Sequence, residues 1–180
     1  GYRYFDSFDV EPCYSFGYGL SYTEFSVFGA GVSVEGTTVN LNAIVTNVGT
    51  DYSGKEVVQA YLSAPAGKLH KEYQSLVAFA KTKELMPAES ETLQMSFDMT
   101  EVASYDEERA SYILEAGEYI LRLGNSSRNT VPVAVIMLDK EVIVSTHCHI
   151  CPITEPIEEL KVMQREMETV NPGVPRLALK

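Results

Sequence analysis

Apolar and polar residues alternate along two separate stretches of this chain, and this alternation constrains the fold more than any other feature. In residues 38–46 every odd position is apolar, and in residues 92–99 Leu, Met, Phe and Met alternate with Thr, Gln, Ser and Asp. Successive side chains of a β-strand point to opposite faces of a sheet. The sequence therefore predicts two strands that each turn one face inward and one face towards water.

Further candidate strands follow at short intervals. Residues 57–62 (VVQAYL) form a more continuously apolar run, which is typical of a central strand. The other candidates are residues 25–34, 76–85, 112–114, 118–123 and 131–138. Turn-forming residues separate them, at 47–51, 64–67, 86–89, 115–117 and 124–127. About seven or eight short strands at this spacing predict an all-β fold, an antiparallel β-sandwich.

The formal charge of −11, from 25 acidic and 14 basic residues, narrows the choice of partners. A surface this acidic repels phosphate backbones and anionic lipid heads, so we expect neither nucleic acid nor a membrane surface. No apolar run approaches the roughly 20 residues that span a bilayer. With 45% hydrophobic and 22% charged residues over 180 positions, the composition is that of one globular domain with appendages.

The last part of the chain changes its period. A helix start at residues 154–156 (TEP) is followed by apolar residues at three- or four-residue spacing, and Asn-Pro-Gly at 171–173 ends the pattern. The sequence predicts an amphipathic helix at about 155–171. We therefore expect a lead-in segment at 1–24, a β-sandwich at 25–146, and a connector at 147–180 whose helix either caps the sandwich or leads towards a following domain.

Residues 147–151 hold four side chains that are able to bind soft metals: His147, Cys148, His149 and Cys151. Structural zinc sites place a second ligand pair at a distance, and here only His70 and Cys13 remain. We therefore interpret the cluster as a strand-to-helix connection and expect no metal and no other cofactor. Three cysteines are too few, and an odd number, for a secreted disulfide framework, which favours a cytoplasmic over an extracellular or periplasmic location.

Acidic residues are grouped at 106–108 and 158–159, but adjacent acids in turns or on a helix flank stay solvated and ionised. A glycosidase pair needs two carboxyls across a sugar, one of them protonated. The chain also lacks the Gly-x-Ser-x-Gly elbow and any Gly-rich phosphate loop. The residues alone therefore assign no catalytic group.

The stretch 14–22 (YSFGYGLSY) is rich in both aromatic residues and glycine. Tyr and Phe give large apolar area at small entropic cost, and glycine lets a backbone approach closely. This segment either folds back on the edge of the sandwich or forms an interface with another domain. The residues that we expect at such an interdomain interface are Tyr2, Tyr4, Phe5, Phe16, Tyr18 and Tyr22.

The polar connection at 69–74 (LHKEYQ) joins two predicted strands. Long loops of sandwiches are where contact residues are displayed. The loop is therefore either simply exposed or reaches over a neighbouring domain's pocket. In the second case the residues at the rim of the pocket would be His70, Lys71, Glu72 and Tyr73.

Four longer stretches carry a specific pattern: GYRYFDSFDVEPCYSFGYGLSYTEF, VTNVGTDYSGKEVVQAYLSAP, LVAFAKTKELMPAESETLQMSF and YILEAGEYILRLGNSSRNT. In order and spacing they resemble the carboxyl-side module of glycoside hydrolase family 3, the β-glucosidases and β-xylosidases. The resemblance covers residues 1 to about 138. It implies a fibronectin type III-like sandwich, with FGYGLSYTEF leading into it from a preceding α/β sandwich domain.

The resemblance also implies the chemistry of a parent protein, which is retaining hydrolysis of β-glycosides through a covalent glycosyl-enzyme intermediate. In the family the nucleophile is an Asp on a (β/α)8 barrel, and the general acid/base is typically on the α/β sandwich domain. Neither domain lies within these 180 residues, so no catalytic residue is carried over. Some members are permuted, with the barrel after this module, and the tail resembles a lead into such a barrel in a bacterial member.

Two functions from different classes follow. The first is an accessory structural domain that packs against the barrel and the α/β sandwich domain of its parent, lends a loop to the substrate cleft and has no activity of its own. The alternative is an independent β-sandwich binding or adhesion module, because sandwiches host many functions. An interface predicts that the lead-in tyrosines are covered or that the isolated chain self-associates, whereas an independent module stays monomeric.

Overall fold

The computed structural model describes residues 1–150, 155, 158, 160 and 169–179. The predicted helix at about 155–171 falls largely outside these residues. The elements are α1 (Tyr2–Ser7), β1 (Phe25–Glu35), β2 (Thr38–Asn47), β3 (Val57–Ser63), β4 (Ser75–Lys81), β5 (Ser90–Asp98), β6 (Ser104–Asp106), β7 (Ser111–Leu114), β8 (Gly117–Ser126), β9 (Asn129–Leu138), β10 (Val142–Thr146) and β11 (Arg176–Ala178). A 3-10 turn, Met99–Val102, follows β5. None of the helices described is long and apolar enough to cross a bilayer.

Two main sheets face each other. One has the strand order β1-β2-β5 and the other β11-β9-β8-β3-β4, while β10-β7-β6 form a small third sheet. All pairs are antiparallel except β11 with β9. The predicted all-β, fibronectin type III-like sandwich is confirmed, and the predicted central strand at 57–62 is the inner strand β3.

The core lies where the alternation predicts it. β2 and β5 pair so that Val39 lies opposite Phe97 and Leu41 opposite Met95, and all four side chains are buried. The second sheet covers them with one face of β3, β8 and β9. Because apolar burial contributes roughly 25 cal/mol per Å², this two-layer contact is the main source of stability.

Strand lengths and number differ from the sequence expectation. The predicted strand at 76–85 ends at Lys81, and Leu85 pairs instead with Gly54 in an isolated bridge. The described residues form eleven strands rather than seven or eight. Two of the additional strands, β6 and β11, have three residues each, which is too short for an alternating pattern to show.

The end of the described chain lies on the sandwich. β11 runs parallel to β9, with Val135 N donating to Pro175 O at 2.9 Å and Leu179 N donating to Met137 O at 2.9 Å. Val170 packs against Ile120 and Val135 beside this strand. Residues 170–179, which the sequence assigns to a connector, are therefore part of the edge of the larger sheet.

Candidate functional site

The lead-in helix α1 is attached to the sandwich by a buried carboxylate. Arg128 Nε donates to Asp6 Oδ1 at 2.7 Å, and Gln74 Nε2 donates to Asp6 Oδ2 at 3.0 Å. The Asp6 side chain is only 2% exposed. The next residue, Ser7, accepts a hydrogen bond at Oγ from Tyr73 N at 2.9 Å. We name these contacts the Asp6 anchor.

An aromatic wedge completes this attachment. The ring of Tyr2 lies 5.1 Å from that of Phe16 and 5.7 Å from that of Tyr61, centroid to centroid, and Tyr2 Oη accepts from Leu76 N at 2.8 Å. Tyr61 is fully buried, and this burial raises the pKa of its phenol. The inner side of the lead-in segment is therefore folded back on the sandwich.

Gly17 shows how closely the segment approaches. Its φ is +90°, a conformation that favours glycine. A Cβ at this position would lie 2.2 Å from Gln59 Nε2 and 3.0 Å from Asn125 O. The backbone of Phe16 also accepts from Ser127 N at 2.8 Å. Glycine at position 17 therefore lets the aromatic stretch lie directly on the sandwich.

The outer side of the same segment carries large apolar side chains that point into solvent. We define the aromatic face by the side chains Tyr14, Tyr18, Leu20, Tyr22 and Tyr52. They are between 54% and 92% exposed. Tyr14 stacks with Tyr18 at 4.9 Å and Tyr22 with Tyr52 at 5.9 Å between ring centroids. Large apolar side chains exposed in this way make the aromatic face a candidate interaction site.

The six predicted interface residues thus divide into two groups. Tyr2 packs on the sandwich, and Phe5 is partly buried, whereas Tyr4, Phe16, Tyr18 and Tyr22 are exposed. Their role at an interface stays a prediction. The sequence reasoning missed Tyr14 and Leu20, which lie in the same stretch, and Tyr52, for which no local signal exists because its partner is 30 residues away in the chain.

The loop that contains the predicted rim residues is held by one carboxylate, Glu115. This side chain accepts from Lys68 N at 2.7 Å, from Leu69 N at 3.4 Å and from the ammonium of Lys71. The side chains of Lys71 and Glu115 are each only 9% exposed. A Cβ on Gly67 would lie 2.4 Å from the Glu115 carboxylate oxygens, so this position has room only for glycine. We name this arrangement the Glu115 clamp.

Two opposing effects act on the Glu115 carboxyl. Burial alone raises its pKa, but the Lys71 ammonium and the two N–H donors outweigh burial and hold the pKa below its usual value. Glu115 is therefore ionised in the folded state at neutral pH. Its backbone carbonyl accepts from Tyr119 Oη at 2.8 Å, which fixes the turn that carries it.

The four predicted rim residues lie in different surroundings. His70 is exposed, and Glu72 pairs with Arg3 at 3.3 Å and accepts from Ser75 Oγ. Lys71 instead points inward to Glu115, and the ring of Tyr73 lies 5.5 Å from the guanidinium of Arg122. The contribution of this loop to a substrate cleft stays a prediction. Of the four residues, His70 is exposed, whereas Lys71, Glu72 and Tyr73 are partly buried.

A cleft of about 400 Å³ opens beside this loop. Its lining includes Arg3, Leu62, Glu72, Phe97 and Tyr105. The lead-in helix α1 contributes Arg3 to this lining, and the sandwich with its loops contributes the rest.

The sequence analysis expects no metal at residues 147–151. In the part of the chain that the structure describes, no group of three or more His, Cys, Asp or Glu is placed to hold a metal ion. Cys151 lies outside that part. His147 packs edge-on against Tyr112 at 5.5 Å, and Cys148 is exposed and free. The acids at 107 and 108 are solvated, as expected, and Asp106 is bonded to Arg109, which lowers the pKa of its carboxyl.

Known proteins share this architecture. The family description "fibronectin type III-like domain" matches residues 56–127. The chain is 38% identical over 161 residues to a β-glucosidase of Ruminococcus albus, which covers 86% of this chain and 17% of that protein. The crystal structure of a β-glucosidase from Paenibacillus barengoltzii superposes with a TM-score of 0.87 at 38% identity, covering 97% of this chain and 20% of the other.

A third protein supplies the enzyme family. The GH3 β-glucosidase of Bifidobacterium adolescentis superposes with a TM-score of 0.71 at 35% identity, over 77% of this chain and 20% of that one. The chain thus spans about a fifth of the length of the proteins it matches. It belongs to the fibronectin type III-like domains that form part of glycoside hydrolase family 3 β-glucosidases.

Proposed function

We propose that this chain is an accessory structural domain of a β-glycosidase of glycoside hydrolase family 3 and that it catalyses nothing by itself. It packs against the catalytic barrel and the α/β sandwich domain of its own parent protein. One observation carries the proposal: the lead-in segment is fixed to the sandwich on one side and presents the aromatic face on the other.

The energetics of the aromatic face support docking. Transfer of exposed Tyr and Leu side chains from water into an interface is favourable. Tyrosine buries a large area and loses little side-chain entropy when it is buried. The segment that carries them is held by the Asp6 anchor and the Tyr2 wedge. An interface that is already ordered in the free domain costs little entropy to form.

The similar proteins support the proposal that the partners are catalytic domains of the same chain. The Ruminococcus albus and Paenibacillus barengoltzii proteins are β-glucosidases in which a region like this chain makes up about a fifth of the length. The rest of such a protein is the source of the catalytic residues that the family resemblance implies. The parent is therefore a retaining β-glucosidase or β-xylosidase, and hydrolysis of its oligosaccharide substrate takes place on the other domains of the parent.

The first experiment identifies the parent. We would sequence the reading frame on both sides of this chain, express the whole product and measure hydrolysis of aryl β-glucoside and β-xyloside. The proposal predicts an α/β domain and a barrel in the same frame and hydrolysis of at least one substrate. A barrel downstream would establish the permuted order, and absence of both catalytic domains would leave the independent binding module.

The second experiment tests the interface. In the parent, Leu20→Ser and Tyr22→Ser are expected to lower the temperature at which activity is lost. Phe28→Ser is the matched control, because Phe28 is a large exposed side chain on β1, outside the lead-in segment. Equal effects of the three substitutions would contradict a specific role of the aromatic face.

A further inference from the structure

The cleft beside the loop at 64–74 has the construction of a ligand site rather than of a packing defect. Its lining is mixed: Leu76 and Val77 lie among polar and charged side chains such as Glu72, Ser75 and Ser104. Its volume of about 400 Å³ lies within the range of roughly 300 to 1,000 Å³ that is usual for small-molecule sites.

The polar groups of the rim carry both charges. Arg3 NH1 lies 3.3 Å from the Glu72 carboxylate, and Glu101 and Ser104 also line the cleft. His70 and Lys71 line the cleft as well, and the Lys71 ammonium is paired with Glu115 as the Arg3 guanidinium is with Glu72. Because these charges are paired, the cleft has no strong preference for an ionic ligand. The chain's net charge of −11 disfavours anions. These groups suit a neutral molecule with many hydroxyls, because each hydroxyl both donates and accepts.

The lining of the cleft includes an exposed tyrosine ring. Tyr105 is 38% exposed, and its ring lies 5.1 Å from that of Tyr112 on the neighbouring strand β7, at an interplanar angle of 54°. A sugar ring presents an apolar C–H face and polar edges, so it packs on a tyrosine ring while its hydroxyls reach the rim.

The rim is rigid before a ligand arrives. The Glu115 clamp fixes residues 67–71, and Glu72 is held by Arg3 and Ser75. Groups that are already in position lose little entropy on binding. We propose that the cleft, with the exposed ring of Tyr105 among its lining residues, binds a neutral oligosaccharide.

The choice of β-linked glucose as the sugar rests on the proposed function, whereas the site itself rests on this cleft alone. The test uses the 180-residue chain, which carries none of the catalytic residues that the family resemblance implies. Cellobiose and cellotetraose are titrated while backbone amide signals are followed by NMR, with lactose and maltose as sugars of other composition or linkage.

We expect saturable shifts at Glu72, Ser104 and Tyr105. Tyr105→Ala should weaken binding roughly tenfold, equivalent to loss of about 1.4 kcal/mol, and Tyr105→Phe should retain it because the ring remains. Tyr52→Ala is the matched control, since Tyr52 is an exposed tyrosine on the aromatic face, and it should bind normally.

Absence of saturable shifts with all four sugars overturns the site. Shifts that survive Tyr105→Ala but disappear in Tyr52→Ala overturn it as well, because they would place the sugar on the aromatic face. Saturable shifts at the cleft with lactose or maltose alone support the site and contradict β-linked glucose as its ligand, so failure of the site and failure of the sugar taken from the proposed function are distinguishable.

Discussion

The sandwich core and the lead-in segment contain similar apolar residues but use them differently. In the core, side chains such as Leu121 and Ile136 are fully buried between two sheets. In the lead-in segment, Leu20 and Tyr22 are more than 90% exposed, and polar contacts such as that of Asp6 with Arg128 hold the backbone. What differs is the second layer: strands supply one for the core, whereas none of the residues that the structure describes covers the aromatic face.

The sandwich and the lead-in segment are held by different kinds of interaction. Apolar burial gives the sandwich its own stability, and a few buried polar contacts orient a surface that remains uncovered. Buried charged contacts are costly to break but contribute little compared with apolar packing. Substitutions in the core should therefore lower the stability of the isolated chain much more than substitutions on the aromatic face, and this contrast can be tested.

The largest effect is expected in the core. Leu121→Ala removes a fully buried side chain from strand β8 and leaves a cavity, so the free energy of unfolding should fall by about 2–5 kcal/mol. Urea unfolding followed by circular dichroism measures it. Leu20→Ala is the matched control at a 92% exposed position and should change stability by less than about 0.5 kcal/mol. Similar losses from both would remove the contrast between the regions.

The Glu115 clamp should have the next largest effect. Glu115→Ala leaves the Lys71 ammonium without its carboxylate at a site where the lysine side chain is 9% exposed, so stability should fall by about 3 kcal/mol. Glu115→Gln keeps an acceptor for Lys68 N and Leu69 N and should lose less. Equal loss in the two variants would contradict a role for the backbone donors.

The same carboxylate gives a pH dependence whose sign is fixed. Since the folded-state pKa of Glu115 lies below its ordinary value of 4.5, its stabilisation is complete above pH 4.5 and is lost as pH falls through the lowered pKa. Wild type should therefore lose more stability than Glu115→Gln on acidification. Denaturant unfolding at a series of pH values measures this, and parallel curves would refute it.

A smaller and local effect is expected at the Asp6 anchor. Asp6→Ala removes a charged acceptor from Arg128 and Gln74, which costs about 1.5–3 kcal/mol of local stability. Hydrogen exchange should accelerate in α1 and leave β2 and β8 protected. Faster exchange throughout the sandwich would show that the lead-in segment is part of the core rather than a layer attached to it.

The smallest effect is expected on the aromatic face. Tyr22→Ser should change the stability of the isolated chain by less than about 0.5 kcal/mol, because the side chain is 91% exposed. The same substitution should destabilise the parent. Thermal unfolding of both proteins measures the difference, and an equal, small effect in both would argue against docking.

The sequence predicted the features that are periodic or contiguous. Alternation in residues 38–46 and 92–99 identified the two core strands because each strand repeats the same environment. The run YSFGYGLSY could be recognised in the sequence because its aromatic residues and glycines lie next to one another. Helix α1 has six residues and β11 has three, too few to show a period.

The contacts that hold the two regions together were not predictable in this way. Asp6 and Arg128 are 122 positions apart, and Lys71 and Glu115 are 44 apart. Nothing next to Glu115 in the sequence distinguishes it from a solvated acid. Its role depends on Gly67 and on two backbone N–H groups, which only the folded loop brings together.

We expect the aromatic face to be covered by the other domains of the parent protein. Hydroxyl-radical footprinting of the isolated chain and of the whole parent protein compares the modification rates of Tyr18, Leu20 and Tyr22 with that of Phe28. The account predicts that the three lead-in side chains become protected in the parent while Phe28 stays reactive. Equal reactivity of the three side chains in both proteins would contradict it.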